Sequence, residues 1–509
     1  MTPRPLLALS VLGSFLGLAA SARGQRVLLE VKSPVPGADA VSGIFIGDWD
    51  GDGVEDLAIG AARDSTVANL AGAARVHSGA DGSELAAFYG TNPIDYFGAV
   101  VARMPDMNGD GVDELAVSAI YADNSGTDTG SVFIYAGRTG ALLLQADGPN
   151  YIKFFGAPMG PIDDVDGDGI VDLFVSHLGA GDLVDVISGA DGSEITAIKG
   201  GGGGDEFGYA ACAIHDVDGD GVKDLLIGAK HYMNSVGLVG AAYVVSPVTG
   251  TVLRSHFGAH YFELHGSGTA AVRDLDGDGV DDYVVTSKYD DNLVAAMVRV
   301  YSGATGNAIG KIINFDKRTY LESQVTGAGD LNGDGFGDFA LSGMWWDDQN
   351  VGQPAAFLIS GKTQLLLDRI ETVDVGFVLS PAIDFDQDGF DDLPVGIIDS
   401  AFDGKVRVYS GDDLWLNATK GRSVAGDTLD FAVREGPAAG PVVLVLEDVD
   451  GTPYFQVVNG LGLFDATGGY AYGAVVPKGL AGHDMVFRAY AHDANGKLIQ
   501  SARQGVHFK

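Results

Sequence analysis

At 509 residues, with 46% hydrophobic and 9% aromatic content, the chain is long enough for several packed domains and too apolar to be disordered. A formal charge of −38, from 31 Lys and Arg against 69 Asp and Glu, excludes a nucleic-acid partner because nothing would neutralise phosphates. The single cysteine, Cys212, excludes an internal disulfide, so rigidity must come from another source.

The first segment reads as a secretory signal over residues 1–22. Arg4 supplies the positive end, Leu6 to Ala19 the short apolar core, and Ala20-Ser21-Ala22 a small-residue cleavage site. The apolar run is short for a bilayer span, and no second one follows, so no membrane span is expected after cleavage. A retained anchor is the alternative reading. Secretion, the cell surface or a periplasm is the expected compartment. Arg26 to Lys32 (RVLLEVK) then reads as a lone strand ahead of any unit it could belong to.

From Asp48 onward one acidic nonapeptide recurs seven times, at intervals of 52 to 58 residues. Its copies begin at Asp48, Asp106, Asp164, Asp216, Asp274, Asp330 and Asp384. A fixed period of that length marks an array of one supersecondary unit. Each unit carries four strand signals. A run opening with an aromatic and glycine precedes the acidic loop, as in Phe97-Gly98, Phe155-Gly156 and Phe207-Gly208. An apolar strand follows it, such as Leu57-Ala58-Ile59-Gly60 or Leu225-Leu226-Ile227-Gly228. A variable loop leads to a third strand ending in Ser-Gly (Ser78-Gly79, Ser188-Gly189, Ser302-Gly303), and a tight turn reverses into a fourth. Four antiparallel strands repeated radially make a propeller blade, so the expected fold is an all-β, seven-bladed propeller over residues 25–411. The last repeat ends after its third strand, Lys405 to Ser410, so the N-terminal strand is expected to complete blade seven.

Residues 412–509 lack the nonapeptide. Thr428–Val433, Val442–Glu447, Tyr454–Val458 and Val486–Ala491 alternate with turn residues there, which predicts a small β-sandwich. Asp448-Val449-Asp450-Gly451 is read as a plain hairpin turn.

Carboxylates at positions 1, 3, 5 and 9 of each nonapeptide, with glycine at 6, make a cage of hard oxygens suited to Ca2+. In the first loop the expected ligands are Asp48, Asp50, Asp52 and Asp56, with the Val54 carbonyl as the fifth. The second offers Asp106, Asn108, Asp110, Val112 and Glu114, and the third Asp164, Asp166, Asp168, Ile170 and Asp172. Asp216, Asp218, Asp220, Val222 and Asp224 form the fourth set; Asp274, Asp276, Asp278, Val280 and Asp282 form the fifth. The sixth is Asp330, Asn332, Asp334, Phe336 and Asp338, and the seventh Asp384, Asp386, Asp388, Phe390 and Asp392. Up to seven Ca2+ are expected, held more weakly where Asn108 and Asn332 replace an acid. In the seventh loop Gln387 takes the usual glycine's place at position 4, which is not a ligand position. An EF-hand is excluded because its position 12 requires Glu. Here that position is Ile59, Val117, Val175, Ile227, Val285, Leu341 and Val395.

Phe-Gly, the acidic loop and a Gly-Ala ending (Gly60-Ala61, Gly228-Ala229) together resemble the FG-GAP repeat of the integrin α-subunit propeller and its bacterial relatives. The resemblance spans about residues 26–411. It implies Ca2+ loops on a lower face and ligand recognition on the upper one.

The second-to-third strand loops fall on that upper face and carry Tyr121, Tyr232, Tyr289 and Trp345-Trp346 beside Asp or Asn. Such rings suit sugar or peptide binding, but packing between blades is the favoured reading. His256, His260, His265 and Glu263 cluster before blade five. A zinc site needs convergent ligands, whereas strand residues four apart lie about 13 Å from each other, so solvated loop histidines are expected. No nucleophile–base motif is found. The reading is a secreted calcium-binding propeller that binds an extracellular protein or glycan, with a polysaccharide-degrading enzyme as the alternative.

Overall fold

A computed structural model describes residues 27–411 except 39, 150–153, 178–181, 202–203, 290–295, 314–318, 332–334, 347–351, 372–375, 388–389 and 399–402; beyond 411 it describes the backbone of the strands named below. The signal segment lies outside the described residues. The chain divides into two compact units, one of them Val27–Gly411 and the other holding Asp412–Lys509.

The first unit is a seven-bladed all-β propeller, with no helix among the described residues. Blade one runs Ala40–Phe45, Leu57–Ala61, Ala73–His77 and Glu84–Tyr89, paired antiparallel in chain order. Blades two to six repeat that order. The first strands of adjacent blades touch all the way round the ring. Second strands such as Leu57–Ala61, Glu114–Ala119 and Leu225–Ala229 are buried at every residue, because a blade covers each of their faces. This explains their unbroken apolar sequence. Fourth strands such as Glu84–Tyr89 and Leu142–Asp147 form the more exposed outer edge.

Blade seven is assembled from both ends of the unit. Gly376–Leu379, Leu393–Ile398 and Gly404–Tyr409 are completed by Val27–Lys32. Val27 faces Tyr409 and Lys32 faces Lys405 in that ladder. Leu29 and Val31 enter a core shared with Phe45, Leu57 and Val406, and Arg407 donates to Glu30 across the seam at 2.5 Å. The closure read from the sequence is the one observed.

Blade-to-blade packing gives the aromatic-Gly pair its meaning. Phe97 is buried among Ala58, Ala74 and Val76 of blade one and Leu115 and Val117 of its own blade. Gly98 adopts φ +86°, and a side chain there would overlap the Ala73 carbonyl of blade one. The Gly98 carbonyl in turn rests on Gly60, leaving that position no room for a Cβ. Gly266 and Gly228 repeat this contact between blades five and four. Where serine replaces the second glycine, Ser176 Oγ donates to the Gly208 carbonyl at 2.6 Å. The phenylalanine fills the inter-blade core, and the small residues let two backbones approach.

In the C-terminal unit Leu416–Ala418, Thr428–Val433 and Tyr470–Val475 form one sheet. A second sheet orders Arg422–Ser423, Gln504–Phe508, Asp484–His492, Pro441–Val449 and Thr452–Val457, with two short strands beside it. Val449 pairs with Thr452, so the chain reverses there as the hairpin reading requires. The side-chain layer on which a sandwich depends lies outside the described residues.

Candidate metal centres

Each acidic loop is folded by its own carboxylates. In the first, Asp48 accepts hydrogen bonds from the amides of Gly51 (2.7 Å), Asp52 (3.0 Å) and Gly53 (2.9 Å). The Asp52 amide also donates to Asp50 at 3.0 Å, and the Val54 amide donates to Asp52 at 2.8 Å. Two left-handed residues make the winding feasible, Gly51 at φ +80° and Gly53 at φ +92°. In the seventh loop Gln387 takes the first of these positions at φ +59°, so that glycine is replaceable. Gly111, Gly169, Gly221, Gly279 and Gly335 each donate at 2.8–2.9 Å to the acid that opens their own loop.

The residue at position 9 differs from the others. Asp56 is fully buried at the start of the second strand. Its Oδ2 accepts from the Trp49 amide at 2.7 Å, and its Oδ1 accepts from the Gly79 amide at 2.9 Å. Gly79 belongs to the Ser-Gly turn between strands three and four, so Asp56 fastens the acidic loop to a distant part of its own blade. Gly189 to Asp172 (2.9 Å), Gly303 to Asp282 (2.7 Å), Gly361 to Asp338 (3.0 Å) and Gly411 to Asp392 (2.8 Å) repeat the tie. Sequence reasoning noted the Ser-Gly turn only as a strand ending. Its recurrence wherever position 9 is Asp, except in blade four, was the available signal. A Cβ on any of these glycines would overlap the carbonyl of the residue at position 8, so glycine is required.

In five loops positions 1, 3 and 9 bring one donor oxygen each within 4.8 Å of the others: Asp48, Asp50 and Asp56; Asp164, Asp166 and Asp172; Asp216, Asp218 and Asp224; Asp274, Asp276 and Asp282; Asp384, Asp386 and Asp392. Position 5 stands outside those groups: Asp52, Asp110, Asp168, Asp220 and Asp278 each accept the amide at position 7. In blade two the Asn108 side chain donates to Glu114 at 2.8 Å, an internal partner for that acid. Asn332, Asp334 and Asp388 lie outside the described residues; Asp330 and Asp338 hold the sixth loop's backbone as their counterparts do.

The electrostatics fit a cation. Burial, reinforced by neighbouring acids, pushes Asp56 and Asp392 up to about 6 and Glu114 and Asp224 up to about 7. Asp172 and Asp282 rise for the same reason. Backbone amides hold the exposed Asp106 and Asp216 below the usual range. Asp224 Oδ1 is buried without a hydrogen-bond partner. Hard oxygens, several negative charges and a desolvated carboxylate are the donor chemistry of Ca2+, and positions 1, 3 and 9 are the residues that could hold it.

A pH dependence follows. The buried acids titrate near 4 when unfolded and near 6–7 when folded, so between those values the folded, metal-free ring binds more protons than the unfolded chain. Its stability therefore falls as pH rises through that window. Calcium-stripped protein is expected to melt on the order of 5–10 °C lower at pH 7.5 than at pH 5, with the trend abolished in excess Ca2+. Scanning calorimetry at both pH values checks this.

The expectation of solvated histidines is corrected. His265 is fully buried in the position that phenylalanine takes in the other Phe-Gly pairs, preceding Gly266. Its Nδ1 lies 2.9 Å from Ser287 Oγ and its Nε2 3.2 Å from the Tyr301 hydroxyl. Glu263 is buried against Arg299. His256 sits 2.8 Å from the Tyr283 hydroxyl and stacks at 4.0 Å on Tyr301, leaving His260 as the exposed member. Among the described residues these side chains form no group of three metal donors. The loop aromatics mostly pack. Tyr121 lies between Tyr96 (5.1 Å) and Phe154 (5.0 Å), and Trp345 is buried under Arg369.

Residues 207–245 match the FG-GAP repeat family model, covering the first three strands and the acidic loop of blade four. The ring is an integrin α-like FG-GAP propeller. Chicken integrin alpha-V is 30% identical over 205 residues, 36% of this chain and 19% of that protein. Xenopus laevis integrin alpha-4 is 31% identical over 149 residues, 26% of this chain and 14% of its own length. Drosophila melanogaster integrin alpha-PS2 is 28% identical over 209 residues, 36% of this chain and 15% of its own length. The chain thus spans under a fifth of the curated relatives it matches, and the likeness to them is that of an FG-GAP propeller.

Proposed function

We propose that this FG-GAP propeller is an extracellular, calcium-binding adhesion module that docks a protein on its upper face. One observation supports a protein over a charged glycan. Between Leu225 and Arg273 the only acid is Glu263, in a chain of net charge −38. The upper rim there comprises a short hairpin, Met233–Asn234 with Gly237–Leu238, and the connection into blade five. The Phe262 amide donates to the Leu238 carbonyl at 2.5 Å, so the two segments are joined. Met233 (68% exposed), Val236 (53%) and Tyr261 (60%) are bare on them. Nearby charges are already neutralised: Glu206 holds Lys230 and His231, both at 2.9 Å. An exposed, nearly neutral apolar patch rimmed by polar residues is the anatomy of a protein interface.

The test compares wild type with Tyr261→Ala and Val236→Asp on arrays of extracellular proteins and of glycans, in Ca2+. Protein binding weakened roughly 10-fold or more by either substitution is expected. Glycan binding that both variants retain would overturn the proposal. No helix among the described residues is long and apolar enough to cross a membrane.

A further inference from the structure

In five blades the buried carboxylate at position 9 is satisfied on Oδ1 by the amide of the turn glycine. Blade four breaks the pattern. Its turn reads Ser246-Pro247, and proline has no N–H to donate. The turn itself is built as elsewhere: Ser246 donates to Thr251 at 3.0 Å and Gly250 to Ser246 at 2.9 Å, as Ser78 does to Ser83 and Gly82 to Ser78 in blade one, both at 2.8 Å. What is missing is the tie. Asp224 Oδ1 is left buried and without a partner, while Oδ2 keeps only its bond from the Val217 amide at 2.7 Å.

We propose that Pro247 makes the blade-four loop the cation-dependent joint of the ring, the loop that gains most from Ca2+ and opens first without it. An unpaired oxygen on a buried carboxylate is costly, and a positive charge held beside that carboxylate offsets the lost amide. Asp216, Asp218 and Asp224 bring their donor oxygens within 4.8 Å of one another, so a cation held there supplies that charge. In the tied loops the glycine amide already does part of this work, and the same ion adds less. Blade four also lacks the amide that would hold its loop to the turn once the ion leaves. Pro247 here is a positioning residue, acting through Asp224.

The proposal rests on the calcium reading of the loops, and hydrogen exchange on the full chain separates the two. After Ca2+ is stripped, amides of residues 214–228 are expected to lose protection before those of residues 46–60 and 162–176, by roughly 10-fold in rate or more. Pro247→Gly restores the N–H and removes the Cβ for which the tied turns have no room. It is expected to bring blade four's exchange level with the tied loops and to weaken the tightest class of Ca2+ in a titration about 10-fold. Loss of protection elsewhere first, or a Pro247→Gly protein that exchanges as wild type does, would overturn the inference. If Pro247→Gly fails to fold, the wild-type order of opening alone decides. No response of any loop to Ca2+ would instead refute the calcium reading itself.

Discussion

Stripping Ca2+ from the full chain is expected to lower the melting temperature of the propeller by on the order of 15 °C. A ligand bound only by the folded state adds roughly 2.7 kcal/mol per site at a hundredfold excess over its Kd. Five loops gather three acids each, which gives about 13 kcal/mol in all if they act independently. A ring of this length unfolds with roughly 0.8 kcal/mol per kelvin, so the shift is large. Each of those loops packs acids against a desolvated carboxylate, and none has a cysteine bridge to hold it once repulsion is unbalanced. Blade two should contribute least, because Asn108 already donates to Glu114. An unchanged melting curve in EDTA, with no calcium by elemental analysis, would reduce the seven loops to ordinary acidic turns.

Gly98→Ala should cost about 3 kcal/mol or more, while Gly51→Ala should cost only about 1 kcal/mol. Both residues have positive φ, +86° and +80°, so the strain from the left-handed backbone is shared. They differ in surroundings. A Cβ on Gly98 overlaps the Ala73 carbonyl of the preceding blade, whereas one on Gly51 meets nothing within 4 Å. Urea unfolding of the two variants isolates the price of forcing blades one and two apart. Equal losses would show that the inter-blade contact is softer than its geometry implies.

The architecture was legible because one local pattern recurs: an acidic loop every 52 to 58 residues counts the blades directly. The seam was legible by deficit, since Arg26–Lys32 had no partner ahead of it and Lys405–Ser410 none behind. What stayed hidden depends on contacts that sequence spacing does not encode. The bond from Gly79 to Asp56 joins residues whose separation varies with loop length from blade to blade. His265 was misread because composition marks a histidine as polar, while alignment with the Phe-Gly position marks it as core. Position 5 was grouped with the other acids by type, and the bond its carboxylate accepts from the amide at position 7 was not read from spacing. Outside the ring, the strand Tyr470–Val475 was missed, its run being interrupted by glycine.

The mixed origin of blade seven imposes an order in time. Val27–Lys32 is the first strand of the ring to be made, yet its partner Gly404–Tyr409 is the last. At 5–20 residues per second the early strand waits roughly 20–70 s for a ladder to join. Throughout that interval its apolar face, Leu29 and Val31, lacks the blade-seven part of its core, Val406 and Val408. Blades one to six can form as they emerge, because each pairs only consecutive segments. The last one cannot, and its long-range pairing makes it the slow step. A cell that makes this protein has to shelter one short strand from wrong partners until the rest of the circle has been synthesised.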